Sequence, residues 1–249
     1  MTAPDIERAT ARAAASGGAV KRGYVKQMFS DIAPRYDRVN RIISFRLDQW
    51  WRKRAINELN LGAAPAATYL DLCAGTLDIA SQIESRPEFR GSVVAADFAE
   101  PMLRAGLGKV SRDVVRPVTA DALDLPFVDG FGAGAIVVFG IRNVVDLDAA
   151  LREVHRVLRS GARFVILEFG ATQNLLVGWI YRLYFNNLCP LIGNAVARHH
   201  SAYNYLPQSV AHFPKETDLA QRMRDAGFVA VRWRPYTFGV VAIHVGEKE

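Results

Sequence analysis

Short apolar runs recur along this chain, and each is followed by a stretch of different period. TYLDL at 68–72, SVVAA at 92–96, a weaker run at 117–120, AIVVF at 135–139 and RFVILEF at 163–169 read as five strands. Runs of four to eight β-branched and apolar residues, bounded by turn residues, are buried on both faces, as in a parallel sheet. Between them lie helical patterns at 78–85, 101–110 and 146–158, the last carrying Leu147, Ala150, Leu151, Val154 and Leu158 on one face. Strand and helix in alternation predict a doubly wound α/β sheet. A helix at 216–226, ended by Gly227, then precedes two further strands, 228–233 and 240–245, close enough to pair as a hairpin. The expected fold is therefore a mostly parallel seven-stranded sheet with a C-terminal antiparallel hairpin.

The segments outside the sheet differ in character. Residues 1–19 are Ala-rich, lack the apolar run of a signal peptide and are expected to form a poorly ordered leader. Residues 20–60 read as a helical cap broken at Pro34 and near Ser44, and 173–214 as an aromatic helical insertion within the single domain 20–249. The net charge of +6 is uneven, since residues 1–54 hold 12 basic and 5 acidic side chains. The remainder is almost neutral, which argues for a local basic surface and against a nucleic-acid coat. Cys73 and Cys189 are too few and too distant for a disulfide framework, so a reducing cytoplasm is the expected compartment. The most apolar stretch, 175–196, is interrupted by Arg182, Asn186, Asn187, Pro190 and Asn194, and cannot span a bilayer.

The first strand runs into LDLCAGTLDIA, where Gly75 permits a tight turn and the next helix offers free N–H groups. The loop lacks the second glycine that a pyrophosphate requires, so a nucleoside without phosphates is the expected ligand. Asp97 closes the second strand, where a carboxylate bonds ribose hydroxyls. Asp121 and Ala122 follow the third strand, within reach of an adenine edge.

These elements, together with FSDIAPRYDRVNRIISF, WWR, ADFAEPML, FGIRN and AYNYLPQSVAHFP, resemble the ubiquinone/menaquinone-biosynthesis C-methyltransferase family. That family is a branch of the class I S-adenosylmethionine-dependent methyltransferases, and the likeness runs from about residue 25 to 246. The resemblance implies that Gly75 and Thr76 contact the methionine portion of S-adenosylmethionine, that Asp97 holds its ribose, and that Asp121 and Ala122 flank its adenine. It implies a polyprenylated quinol substrate, such as demethylmenaquinol. Against the family's usual pattern, Leu77 predicts a narrower cofactor pocket and Val138 one cofactor hydrogen bond fewer. Gly132 and the Arg198, His199, His200 run also depart from it.

Methylation of a ring carbon needs a phenolate-stabilising cation or a base, and no metal. Arg142 and Asn143, at the mouth of the fourth strand, are the first candidates, with pairing of Arg142 to Asp146 or Asp148 as the competing account. Tyr36, with Asp37 and Asn40, is a second cluster that could close over the cofactor. Tyr203, beside His199 and His200, and the stripe holding Tyr184 and Leu188 are expected to meet the substrate from the insertion, which would act as a lid. Lys21, Arg22, Lys26, Arg52, Lys53 and Arg54 could rest on anionic lipid at the inner face of the membrane. The reading leaves room for a homodimer. Two other functions stay open from sequence alone: methylation of a different small phenol, and a non-catalytic cofactor-binding scaffold in a quinone-synthesis assembly.

Overall fold

The computed structural model describes residues 19–170 and 200–249. Seven strands form one sheet in the order β3-β2-β1-β4-β5-β7-β6. They are β1 (Thr68–Leu72), β2 (Ser92–Asp97), β3 (Val115–Thr119), β4 (Gly132–Val138), β5 (Leu158–Phe169), β6 (Phe228–Tyr236) and β7 (Val241–Lys248). β1 to β5 are mutually parallel, and β4 is buried along its whole length, as a continuous apolar run requires. β7 enters antiparallel between β5 and β6, with Phe169 opposite Val241. The expected hairpin is present, but its second strand lies inside the sheet and its first strand forms the edge.

Alternation along the strands divides the core into two layers. Tyr69, Val93, Ile136, Val165 and Ile243 face one helical layer with Trp51, Ile56, Ile79 and Ile83. Leu70, Val94, Ala135, Val137 and Phe164 face the other, with Leu151, Val154, Leu219 and Met223. That period of two turns one apolar sheet into two packed faces.

Before the sheet come α1 (Ala19–Ile32), a 3-10 turn (Ala33–Arg35), α2 (Tyr36–Ile43) and α3 (Leu47–Glu58). The breaks fall at Pro34 and after Ser44, as the sequence predicts. Around the sheet lie α4 (Asp78–Glu84), α5 (Glu100–Gly106), α6 (Leu147–Val157), α7 (His200–Ala211) and α8 (Glu216–Asp225). The Asp146 carboxylate caps α6 by accepting from the Ala149 N–H at 2.9 Å. Gly227, at φ 102°, lets the chain leave α8 and start β6. β5 begins at Leu158, five residues before the expected start, because α6 passes into it without a loop. Residues 1–18 and 171–199 lie outside the described residues, and with them most of the expected leader, Tyr184, Leu188 and most of the insertion; Tyr203 falls on α7. Among the described residues no helix is long and apolar enough to cross a membrane.

Candidate active site

The carboxyl ends of β1, β2 and β4 open into a cleft enclosing about 760 Å³, its mouth included. Ligands bind in such crevices where strand order reverses, here between β1 and β4. Gly75, Asp97, Asp121, Ala122, Tyr36 and Asn143 all line it.

The β1 turn is strained on purpose of geometry: Cys73, Gly75 and Leu77 have φ of 52°, 52° and 63°. Non-glycine residues seldom adopt that region. The turn aims the Gly75 N–H at the Asp97 carboxylate, 2.8 Å from Oδ2, while the Ala99 N–H donates to Oδ1 at 2.8 Å. Burial pushes the Asp97 carboxyl up, and these two backbone donors oppose the shift. Each oxygen keeps lone-pair capacity for a further donor, as a ribose diol requires. Leu77 is fully buried in the core and absent from the cleft lining, so it does not narrow the pocket as expected. Val138 does line it.

Thr76 takes a different place from the one expected. Its hydroxyl donates to Asp37 Oδ1 at 2.5 Å, and it does not line the cleft. Lys109 pairs with Asp37 and also with Asp78, at 2.6 Å in the second case. This network fastens α2 to the β1 turn and thereby fixes Tyr36, whose hydroxyl is pushed up by burial, with the charges of Arg52 and Arg142 opposing. Phe29 and Arg22 of α1 reach the same cleft, and Arg22 pairs with Asp121 Oδ2 at 2.7 Å.

On the β4 side, Arg142 is buried and pairs with neither Asp146 nor Asp148. Its Nη1 donates to Glu168 Oε1 at 2.8 Å and Oε2 at 3.1 Å, and also to the Phe139 carbonyl. The guanidinium stacks 5.2 Å from the Phe169 ring centroid. Arg142 therefore stands behind the cleft wall, not in its lining. Burial pushes the Glu168 carboxyl up and the Arg142 charge opposes it. The Lys21 ammonium of α1 donates to the Arg142 carbonyl at 2.9 Å. Asn143 faces the cleft, and its buried Oδ1 has no hydrogen-bond partner among the described residues. Glu168 was missed by sequence reasoning, although it is the lone acid of β5 and interrupts its apolar run from Phe164 to Phe169, a usable signal.

The six basic residues expected on one lipid-facing surface separate. Lys21 and Arg52 are buried, Arg52 beside Asp48 at 3.4 Å, and Arg22 turns to Asp121. Lys26, Lys53 and Arg54 remain exposed. No cluster of three or more metal-ligating side chains occurs among the described residues.

The profile of the ubiE/COQ5 methyltransferase family matches residues 18–248, nearly the whole chain. The chain belongs to that family. Demethylmenaquinone methyltransferase of Thermus thermophilus is 45% identical over 223 residues, covering 89% of this chain and 100% of its own. The ubiquinone/menaquinone biosynthesis C-methyltransferase of Geotalea daltonii is 36% identical over 228 residues, covering 90% and 96%. Among solved structures, a SAM-dependent methyltransferase of Thermotoga maritima superposes with a TM-score of 0.60 at 18% identity, covering 90% of this chain and 99% of that one. At that identity the match speaks for the fold alone. The methyltransferase thus joins a Rossmann-like sheet to a cleft whose polar groups suit a nucleoside.

Proposed function

We propose that the protein is an S-adenosylmethionine-dependent C-methyltransferase acting on a polyprenylated quinol, demethylmenaquinol being the leading acceptor. The observation that carries the cofactor is the buried Asp97 carboxylate, held by the Gly75 and Ala99 N–H groups at the cleft floor. Asp97 would hold the ribose, Gly75 the methionine portion, and Asp121 and Ala122 the adenine, while Thr76 would act indirectly through Asp37. Bound there, the cofactor supplies an electrophilic methyl group. The acceptor follows from the family and from the curated relatives named above.

A quinol ring carbon becomes nucleophilic when an adjacent ring hydroxyl loses its proton, since the negative charge spreads onto that carbon. Asn143, which lines the cleft, would orient the water that receives this proton, its buried Oδ1 accepting from the water. The Arg142–Glu168 pair fixes the Phe139–Asn143 segment and sets the local charge, so Arg142 stabilises developing phenolate through the wall. Tyr36 closes the cleft from α2 and excludes water from the reacting atoms. The insertion 173–214, with Tyr184, Leu188 and Tyr203, would enclose ring and tail. The protein works in the cytoplasm, in peripheral contact with the membrane that holds its substrate.

The test is a methyl-transfer assay with reduced demethylmenaquinone and, separately, a reduced demethylated benzoquinone. Turnover of the naphthoquinol is expected; no transfer to either, by folded protein that binds the cofactor, would sink the quinol reading.

A further inference from the structure

Among the described residues, five of the eight exposed large apolar side chains gather at two turns: Ile42, Phe45, Leu47, Trp50 and Phe238. One turn joins α2 to α3 and the other joins β6 to β7. They are tied together, because Trp50 packs edge-on to Tyr236 at 5.6 Å and the Trp51 Nε1–H donates to Thr237 Oγ1 at 2.8 Å. Phe45 and Phe238 form the apices, 73% and 75% exposed, and both hold left-handed backbone, at φ 50° and 56°. Such backbone is unfavourable for a bulky residue. Here it is kept at two positions whose rings are mostly exposed.

Cations ring these apices. Arg38, Arg41, Arg46, Lys53, Arg54 and Arg234 are exposed around the two turns. Arg54 lies over the Trp50 ring at 5.2 Å and Arg234 over Tyr236 at 5.6 Å. The one acid between residues 38 and 54, Asp48, is buried against Arg52, and residues 228–240 contain no acid. The surface is therefore apolar at its tips, aromatic at its shoulder and positive around its rim. A bilayer with anionic head groups has the complementary layers in the same sequence of depth. A hydrated polyanion would match the cations but would leave Ile42, Phe45, Leu47 and Phe238 with no apolar phase to enter.

The surface also lies at the edge where the cleft opens. Its second turn leads into Val241, paired with Phe169 at the carboxyl end of β5, and Trp51 packs 6.2 Å from Phe139, a cleft-wall ring. We propose that this two-turn aromatic and arginine surface docks the protein on an anionic lipid bilayer, with the cleft at the docked edge. The proposal deepens the lipid-quinol reading above, though its structural grounds are separate.

Co-sedimentation of the full chain with phosphatidylglycerol/phosphatidylethanolamine vesicles and with phosphatidylcholine vesicles tests it. Binding to the anionic vesicles is expected, falling at least tenfold in Phe45→Ser/Phe238→Ser. Arg46→Gln/Arg54→Gln, which leaves the apices intact, is expected to lose the preference for anionic over neutral lipid. Absence of vesicle binding by the unaltered chain, or undiminished binding by both variants, would overturn the docking surface. Methyl transfer to a short-chain demethylated quinol in vesicle-free buffer is expected to be unchanged in both variants. Failure of that assay in the unaltered chain counts against the acceptor and not against the surface.

Discussion

The β1–β2 side of the cleft and the β4–β5 side are both polar and buried, yet they are joined by different kinds of contact. On the β1–β2 side, backbone N–H groups of Gly75 and Ala99 hold one carboxylate, and the donors lie on the turns that follow the two strands. On the β4–β5 side, Arg142 meets Glu168 across 26 residues and Lys21 reaches the Arg142 carbonyl across 121. Backbone donors come with the turn and cost little to arrange. A buried ion pair must bring two charges out of water and survives only with good geometry and further hydrogen bonds. The comparison teaches that the β1–β2 side is preorganised locally, while the β4–β5 side depends on α1, β4 and β5 all being in place.

The largest expected effect breaks the β4–β5 side. Arg142→Ala leaves Glu168 buried without its partner and should cost about 3–5 kcal/mol in denaturant unfolding. Its turnover should fall at least tenfold, roughly 1.4 kcal/mol in barrier, with cofactor affinity retained in titration calorimetry. If turnover and stability stay near normal, the pair is ornamental and the contrast between the two sides fails.

Next comes a pH test on the β1–β2 side. Asp71, at the penultimate position of β1, accepts from the Ala80 N–H at 3.0 Å, and burial pushes its carboxyl up to about 8. Between its ordinary range and that value the folded chain holds a proton that the unfolded chain has released, so stability falls as pH rises through this window. The slope is up to about 1.4 kcal/mol per pH unit. Asp71→Asn should flatten the stability profile between pH 5 and 7, measured by urea unfolding at each pH. An unchanged slope would show that Asp71 is ionised in the fold.

Asp97→Asn sharpens the same side. Weakening the charge-assisted bonds to a ribose should cost about 2 kcal/mol, roughly thirtyfold in cofactor Kd by calorimetry. Quinol-side kinetics at saturating cofactor should change little. The smallest effect is assigned to Lys21→Met. Stability should shift by no more than about 1 kcal/mol, because the lost hydrogen bond is offset by an ammonium that no longer needs burial. Turnover should fall a few-fold as the Arg142 segment loosens, and an unaltered rate would detach α1 from the β4–β5 side.

Legibility in the sequence follows the same division. The strands, the break at Pro34, the turn at Gly75 and the carboxylate of Asp97 closing the second strand were readable, because each rests on a few neighbouring residues or a fixed periodicity. Arg142 was placed at the right strand end, but its partner was sought among nearby acids at 146 and 148. Asp146 is occupied with its helix N-terminus, and Asp148 with Arg222 at 2.7 Å. Glu168 was overlooked because sequence offers no direct measure of which strands lie side by side. The basic N-terminal region misled in the same way: charge was counted along the chain, while Lys21 is buried against the Arg142 carbonyl, Arg22 pairs with Asp121 and Arg52 is buried beside Asp48 one helical turn away.

The sequence by itself determined the α/β class, the strand succession and, through its motifs, the family, since local periodicity, turn chemistry and short motifs suffice for these. Tertiary structure alone decided that β7 enters between β5 and β6, that Leu77 faces core and not cofactor, and that Arg142 is bound to Glu168. It also decided that the α2–α3 and β6–β7 turns meet, with Trp50 against Tyr236. The physical reason is common to all four: burial and pairing depend on which segments the sheet brings together, and contact across it depends on strand order more than on separation along the chain.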